Sequence, residues 1–322
     1  MRYDAEDWDA TVDALRAADE VVIACHVNPD GDALGSLLAC SLGLQQLGKK
    51  TWPTWSTSVV KVPFSYRFLP GTDALVLPSD VPDAGTFLAL DCGAADRLGD
   101  LEKTALPAAT VINVDHHPGN ENFGTLNVVV TTASSTAELA AYLLKDLGVE
   151  IDKDIATCLY TGVVTDTGRF QFSNSTPDTL RLAADLLAHG VDAPSIAAEV
   201  FESSPFGYLK LLGHMLERAA LFEEERFVYS WITQADLHDT GVEMEETEKL
   251  IDLLRATRAA DVAAMFKEQE DGAYRVSMRS RGPVSVGAIA RAHGGGGHEL
   301  AAGFTAVSVE QAVDAIRKAL AT

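Results

Sequence analysis

Short apolar runs that stop at an acid or a polar loop dominate the first third of the chain. Residues 21–25 form one such run, ending at His26, and residues 32–47 then carry apolar side chains at helical spacing. The pattern predicts strand, loop and helix. Residues 87–90 end at Asp91 and residues 111–114 end at Asp115, so two further β-type runs each deliver a carboxylate at their carboxyl end. Such repetition predicts an open α/β domain with a mainly parallel sheet flanked by helices. In that architecture ligands collect in the crevice beyond the carboxyl ends of the strands.

Residues 134–220 are rich in Ala and Leu at helical periodicity, interrupted by Gly148, Gly168, Gly190 and Pro205. Strand-like patterns return at 227–232, 262–266 and 274–278, followed by a helical run at 286–292 and a glycine-rich turn. This predicts a larger domain over 1–204, a helical connector over 205–222 and a smaller mixed α/β domain over 223–322. No internal repeat or low-complexity linker stands out.

Composition narrows the picture. A chain of 322 residues that is 47% hydrophobic can bury two compact cores. Its 47 acidic against 25 basic residues give a net charge of −22, so a long polyanion gains no general attraction to the surface. Any nucleic-acid substrate is therefore expected to be short, and long duplexes are not expected as partners. The opening MRYDAEDWDA has no basic stretch followed by an apolar one, and no segment approaches about 18 uninterrupted apolar residues. Neither export nor membrane insertion is expected, which points to the cytoplasm. Cys25, Cys40, Cys92 and Cys158 are far apart and form no C-x-x-C pair, consistent with buried free thiols in a reducing compartment.

Candidate chemistry lies in four loops. The first, His26-Val27-Asn28-Pro29-Asp30-Gly31-Asp32-Ala33, packs an imidazole and two carboxylates into one turn. Taken alone, Asp30 or Asp32 fits a helix N-cap equally well. The second is Asp91-Cys92-Gly93, and the third is Asp115-His116-His117-Pro118-Gly119. In the fourth, Asp166 ends a helical run, where a simple C-terminal turn is an equal alternative. Jointly the loops supply several aspartates and histidines, and an oxygen-rich set with one or two imidazoles favours Mn²⁺ or Mg²⁺ over structural Zn²⁺.

Two further stretches suit an anion. Gly295, Gly296 and Gly297 offer successive unhindered N–H groups beside His298, and Arg279-Ser280 pairs a guanidinium with a hydroxyl. The plainer alternatives are a flexible loop and charge on an edge strand.

H-x-N-P-D-G-D-A, L-D-C-G, V-D-H-H-P, V-T-D-T-G and G-G-G-G-H-E-L-A-A-G follow one another along nearly the whole chain, and in this order they resemble the DHH/DHHA1 phosphoesterases. The wording is most similar to the branch that degrades very short RNA and dephosphorylates 3′-phosphoadenosine-5′-phosphate, whose relatives also cleave linear and cyclic dinucleotides. The resemblance implies an N-terminal DHH domain, a C-terminal DHHA1 domain, an active site in the cleft between them, and a homodimer. It implies two divalent cations, Mn²⁺ first and Mg²⁺ as the alternative. His26, Asp30 and Asp91 would hold one, and Asp32, Asp91, His116 and Asp166 the other, with Asp91 bridging. Asp115 would orient a histidine, His117 would act at the substrate phosphate, and a water activated by the cations would attack phosphorus in line. Arg279, Ser280, Gly295, Gly296, Gly297 and His298 would bind substrate. Glu299 departs from the pattern, because many relatives carry a basic residue there. The rival readings are a single-strand exonuclease of the same superfamily, a manganese inorganic pyrophosphatase, and a nucleotide-sensing regulator without activity.

Overall fold

A computed structural model of the chain describes residues 5–321, which form two compact units that divide between Ser203 and Ser204.

The first unit runs α1 (Trp8–Ala17), β1 (Glu20–Cys25), α2 (Gly31–Gln46), β2 (Lys50–Thr54), β3 (Thr86–Leu90), α3 (Glu102–Ala105), β4 (Thr110–Asp115), β5 (Leu126–Val129), α4 (Thr136–Leu147), α5 (Lys153–Asp166), α6 (Pro177–Ala188) and α7 (Ala193–Ala197). Its five strands pair in the order β2-β1-β3-β4-β5, every neighbour parallel. β1, β3 and β4 are buried on both faces, which is why they read as unbroken apolar runs. Val21, Ile23, Leu88, Leu90, Ile112 and Val114 pack with α1, α2, α4 and α5, while Val22, Ala24, Phe87 and Ala89 meet Leu98, Leu101 and Ala105 on the other side. The parallel sheet flanked by helices is the fold class that the sequence pattern calls for. Two strands have no such signature. β2 contains Pro53, tolerated because β2 is an edge, and β5 is four residues long with one buried position.

Helices α2 and α5 cross closely because glycine stands at the contact. A Cβ on Gly35 would lie 2.5 Å from the Cys158 carbonyl oxygen, and one on Gly162 would lie 2.5 Å from Ala137 Cβ and 2.9 Å from Asp32 Oδ1.

The second unit runs α8 (Phe206–Glu217), β6 (Ala220–Phe222), β7 (Phe227–Ile232), α9 (Gln234–Thr240), α10 (Leu250–Arg255), β8 (Val262–Glu268), β9 (Tyr274–Ser280), α11 (Val286–Ala292), β10 (Gly296–His298), β11 (Ala301–Ala306) and α12 (Val309–Leu320). Its mixed sheet is ordered β10-β11-β9-β8-β7-β6, with only β7 and β8 parallel. Residues 205–222 hold α8 and β6, and Leu211 and Met215 of α8 enter a core with Val228, Leu250 and Met265. The opposite face packs Val276, Met278 and Phe304 against α11 and α12.

Candidate metal centre

The loops bearing His26 to Asp32, Asp91, and Asp115 to His117 follow the carboxyl ends of the parallel strands β1, β3 and β4, and Asp166 ends α5. Asp30 is the N-cap of α2, its Oδ1 accepting from the backbone N–H of Asp32 and of Ala33, each at 3.0 Å. Capping does not exclude a ligand role, since the cap fixes the carboxylate close to His26. His26 Nδ1 lies 2.8 Å from the Val27 carbonyl oxygen, which places the proton on that nitrogen and turns Nε2 toward Asp91 Oδ2 at 3.4 Å and Asp30 Oδ1 at 4.0 Å.

Asp91 follows β3 with φ of +61°, a left-handed conformation that few non-glycine residues adopt outside constrained sites. The turn places its two oxygens between two imidazoles. Oδ2 faces His26, and Oδ1 lies 3.7 Å from His116 Nε2. That same His116 nitrogen is 3.8 Å from Asp32 Oδ2 and 3.6 Å from Asp166 Oδ2. His117 Nδ1 is bonded to Asp115 Oδ1 at 2.7 Å and lies 3.5 Å from Asp91 Oδ1. All six residues proposed from the sequence as ligands, together with Asp115 and His117, therefore gather in one unit.

The electrostatics are those of crowded anions. Burial, reinforced by Asp91, Asp166 and Asp30, pushes the Asp32 carboxyl well above its ordinary value, and burial raises Asp166 to about 6. Burial would raise Asp91 too, but the contact with His26 and the charges of His117 and His26 hold it below the usual carboxylate range. Burial works against protonation of His117, yet its bond to Asp115 and the nearby Asp91 lift it to about 9.

This donor set fits divalent cations. Gaps of 3.4 to 4.0 Å between imidazole nitrogen and carboxylate oxygen are too long for good hydrogen bonds. Donors sharing one cation at bonds of about 2.1 Å stand about 3.0–3.5 Å apart, so slight contraction of the clusters suffices. His26, Asp30 and Asp91 make one such cluster, and Asp32, Asp91 and His116 another. Cations would also relieve the repulsion that raises Asp32 and Asp166.

Three residues support the site in ways that the sequence did not assign to them. Thr136 Oγ1 donates to Asp91 Oδ1 at 2.9 Å, Asn120 Nδ2 to Asp115 Oδ2 at 2.6 Å, and Asn174 Nδ2 to Asp166 Oδ2 at 3.4 Å. The one available signal was Ser135-Thr136-Ala137-Glu138, which has the S-x-x-E spacing of a helix start. Ser135 is indeed the N-cap of α4, accepting from Glu138 N–H.

In the second unit, strand register decides which candidates share a face. His298 pairs with Ala301, and Ala301 with Arg279, so Arg279 and His298 stand on one face with a small residue between them. Ser277, Gly303 and Gly296 form the next row on that face. Ser280 does not join them. Alternation turns it to the other face, where it is buried beside Gly282. Burial lowers the Arg279 guanidinium, with Asp252 and Glu248 acting in the opposite direction. The glycine run is part of a hairpin. A Cβ on Gly295 would lie 2.1 Å from the Gly303 carbonyl oxygen, whereas one on Gly296 would meet nothing within 4 Å. Glu299 faces Arg291 at 3.3 Å, and a hydrogen bond with Ser285, then this contact, lower its carboxyl.

Comparison with known proteins follows the same division. The family described as "DHH family, N-terminal domain" matches residues 20–163, and "DHHA1 domain" matches residues 224–322. A bifunctional oligoribonuclease and PAP phosphatase NrnA from Thermus thermophilus is 36% identical over 319 residues, covering 98% of this chain and 94% of that protein. The protein of the same description from Bacillus subtilis is 29% identical over 298 residues, 91% of each. Among solved structures, an exopolyphosphatase-related protein from Bacteroides fragilis superposes with a TM-score of 0.89 at 25% identity, covering 98% of this chain and 95% of that one. RecJ from Thermus thermophilus, solved in complex with Mn²⁺, shares the fold at a TM-score of 0.63 and 14% identity, spanning all of this chain and 55% of its own.

Proposed function

The chain belongs to the DHH family and is a hydrolase of that phosphoesterase family, and from this premise we propose that it cleaves very short oligoribonucleotides and linear or cyclic dinucleotides and removes the 3′-phosphate of 3′-phosphoadenosine-5′-phosphate. The single observation that carries the reading is Asp91, whose two oxygens face His26 and His116 at 3.4 and 3.7 Å. That is the disposition a carboxylate shared by two cations requires. His26, Asp30 and Asp91 would hold one ion, and Asp32, Asp91, His116 and Asp166 the other, Mn²⁺ in preference to Mg²⁺. Such ions, when bound, acidify water and offset charge on phosphoryl oxygens.

The chain's own groups do the rest. Asp115 accepts a hydrogen bond from His117 Nδ1–H, which fixes the ring and, by favouring the imidazolium, keeps a proton on Nε2 for delivery to the leaving oxygen. Arg279, His298 and the backbone of Gly296 and Gly297 grip substrate phosphate, whereas the expected Gly295 N–H is already engaged, donating to the Ala290 carbonyl oxygen at 2.9 Å where α11 ends. We leave out Ser280, because its hydroxyl is buried against Gly282. In this scheme residues 1–204 carry the chemistry, 205–222 connect, and 223–322 select the substrate.

Four buried free cysteines support a reducing, cytoplasmic setting, and among the described residues no helix is long and apolar enough to cross a membrane. A homodimer and the exclusion of long duplexes belong to the same proposal. Light scattering tests the first.

The deciding assay sets the Mn²⁺-loaded protein against pApA, 3′-phosphoadenosine-5′-phosphate, a 24-mer RNA and pyrophosphate. Turnover confined to the first two is the expected result. Faster attack on the 24-mer would identify an exonuclease, and hydrolysis of pyrophosphate a pyrophosphatase. Inactivity on all four with two bound ions would leave a regulator.

A further inference from the structure

One short turn, residues 134–138, supplies none of the proposed ligands yet reaches three of them. The backbone N–H groups of Thr136 and Ala137, at the start of α4, donate to Asp32 Oδ2 at 2.7 Å and to Asp32 Oδ1 at 2.8 Å. Thr136 Oγ1 donates to Asp91 Oδ1 at 2.9 Å. The Ser134 carbonyl oxygen accepts from Asn174 Nδ2 at 2.8 Å, and that amide also meets the Asp166 backbone carbonyl at 3.1 Å and Asp166 Oδ2 at 3.4 Å.

The turn is itself held from within. Glu138, fully buried, accepts at Oε2 from Ser134 N–H at 3.0 Å, Ser134 Oγ at 2.5 Å and Thr179 Oγ1 at 3.1 Å. A buried carboxylate with three donors is costly to disturb, so the turn is a rigid frame.

We propose that Thr136 is a positioning residue which sets the rotation of the Asp91 carboxylate, so that one oxygen serves each cation, and that the 134–138 turn is the common frame for Asp32, Asp91 and Asp166. The proposal rests on the two-cation reading above. Rotation of a carboxylate about its last bond is broad and two-fold, so packing alone does not choose an orientation. A hydroxyl donor at one oxygen does. Threonine suits the task because branching at Cβ narrows χ1 and aims the hydroxyl. Partners of this kind, one bond removed from the metal, typically change affinity or activity by about 10–100-fold when removed.

The test measures Mn²⁺ binding by calorimetry, and by the loss of free-ion EPR signal, for the wild-type chain and for Thr136→Val, Thr136→Ser and Asn174→Leu. Thr136→Val keeps the shape and the backbone N–H but lacks the donor. It should bind Mn²⁺ about 10–100-fold more weakly, recover turnover at high Mn²⁺, and melt like wild type in chelator. Thr136→Ser should restore affinity. Asn174→Leu, acting at Asp166 and away from the turn's interior, should weaken binding in its own right, and it decides the matter should Thr136→Val fail to fold. Wild-type affinity in Thr136→Val, or equal losses in Thr136→Val and Thr136→Ser, would overturn the role of Thr136, and wild-type affinity in Asn174→Leu would overturn the common frame, each leaving the two-cation reading intact. A wild-type chain that takes up no Mn²⁺ would instead overturn both.

Discussion

Replacing Gly162 by Ala sets two opposing effects of known size against each other at the place where the fold meets the site. Alanine is the better helix former by about 1 kcal/mol, so at an open helical position the change stabilises. At Gly162 the new methyl would lie 2.5 Å from Ala137 Cβ, 2.9 Å from Asp32 Oδ1 and 3.3 Å from Asp32 Cα. Carbon atoms prefer about 3.5–4.0 Å, and Ala137 has no rotamer through which to escape, so α4 and α5 must part by about 1 Å. Overpacking of this kind costs about 1–3 kcal/mol, and backbone-anchored neighbours put it at the upper end. The net loss is then about 2 kcal/mol, or about 4–8 °C in Tm for a unit of this size.

The same displacement moves Asp32, and sites of this type tolerate about 0.5 Å, so Mn²⁺ affinity should fall at least about tenfold. Melting followed by circular dichroism in chelator reads the first effect, and calorimetric Mn²⁺ titration the second. Gly213→Ala is the control, because Gly213 lies within α8 with nothing within 4 Å of a Cβ and should show propensity alone. A Gly162→Ala protein that gains stability as Gly213→Ala does, with Mn²⁺ affinity intact, would refute the close-crossing argument.

His117→Ala should lower kcat by about 10²–10⁴-fold with Mn²⁺ stoichiometry unchanged, and undiminished turnover would remove His117 from the chemistry. Asp236 accepts from Arg218 Nη2 at 2.9 Å and from Thr233 N–H at 2.8 Å, and although burial opposes them, these bonds hold its carboxyl below the ordinary range. A depressed folded-state pKa gives stability that is present above the unfolded value near about 4 and lost as pH falls through the folded one. Asp236→Asn should therefore cost about 1–3 kcal/mol in urea melts at pH 7, with the difference from wild type shrinking below about pH 4. Lys267 is fully buried and bonded at 2.7 Å to the half-exposed Glu248. Removing the acid in Glu248→Ala strands a buried ammonium and should cost about 3 kcal/mol, whereas Lys267→Met should cost much less; equal losses would contradict this asymmetry.

Much of the site was legible because its chemistry is local. Apolar period and the acid that ends each run are properties of a few consecutive residues, so β1, β3, β4 and the loops bearing His26, Asp91 and Asp115 could be read directly. Family resemblance then grouped the ligands. The opposite orientation of Arg279 and Ser280 was also present in the chain, since neighbours in a strand alternate. Pairing partners were not. Pro53 in β2 hides an edge strand, and the single buried position of β5 leaves no alternation to read. Whether Gly296 faces open space while Gly295 meets a carbonyl depends on β11 lying alongside.

What only the tertiary structure decided is the orientation of the carboxylates. Asp32 is fixed by N–H groups 104 and 105 residues away, and Asp91 by a hydroxyl 45 residues away. Sequence periodicity reports which face a residue occupies over one or two turns. It carries no information about which helix terminus will arrive there, because that follows from how whole elements pack. The residue types able to bind cations are thus written in the chain, and the geometry that separates the two oxygens of Asp91 is a product of the folded unit.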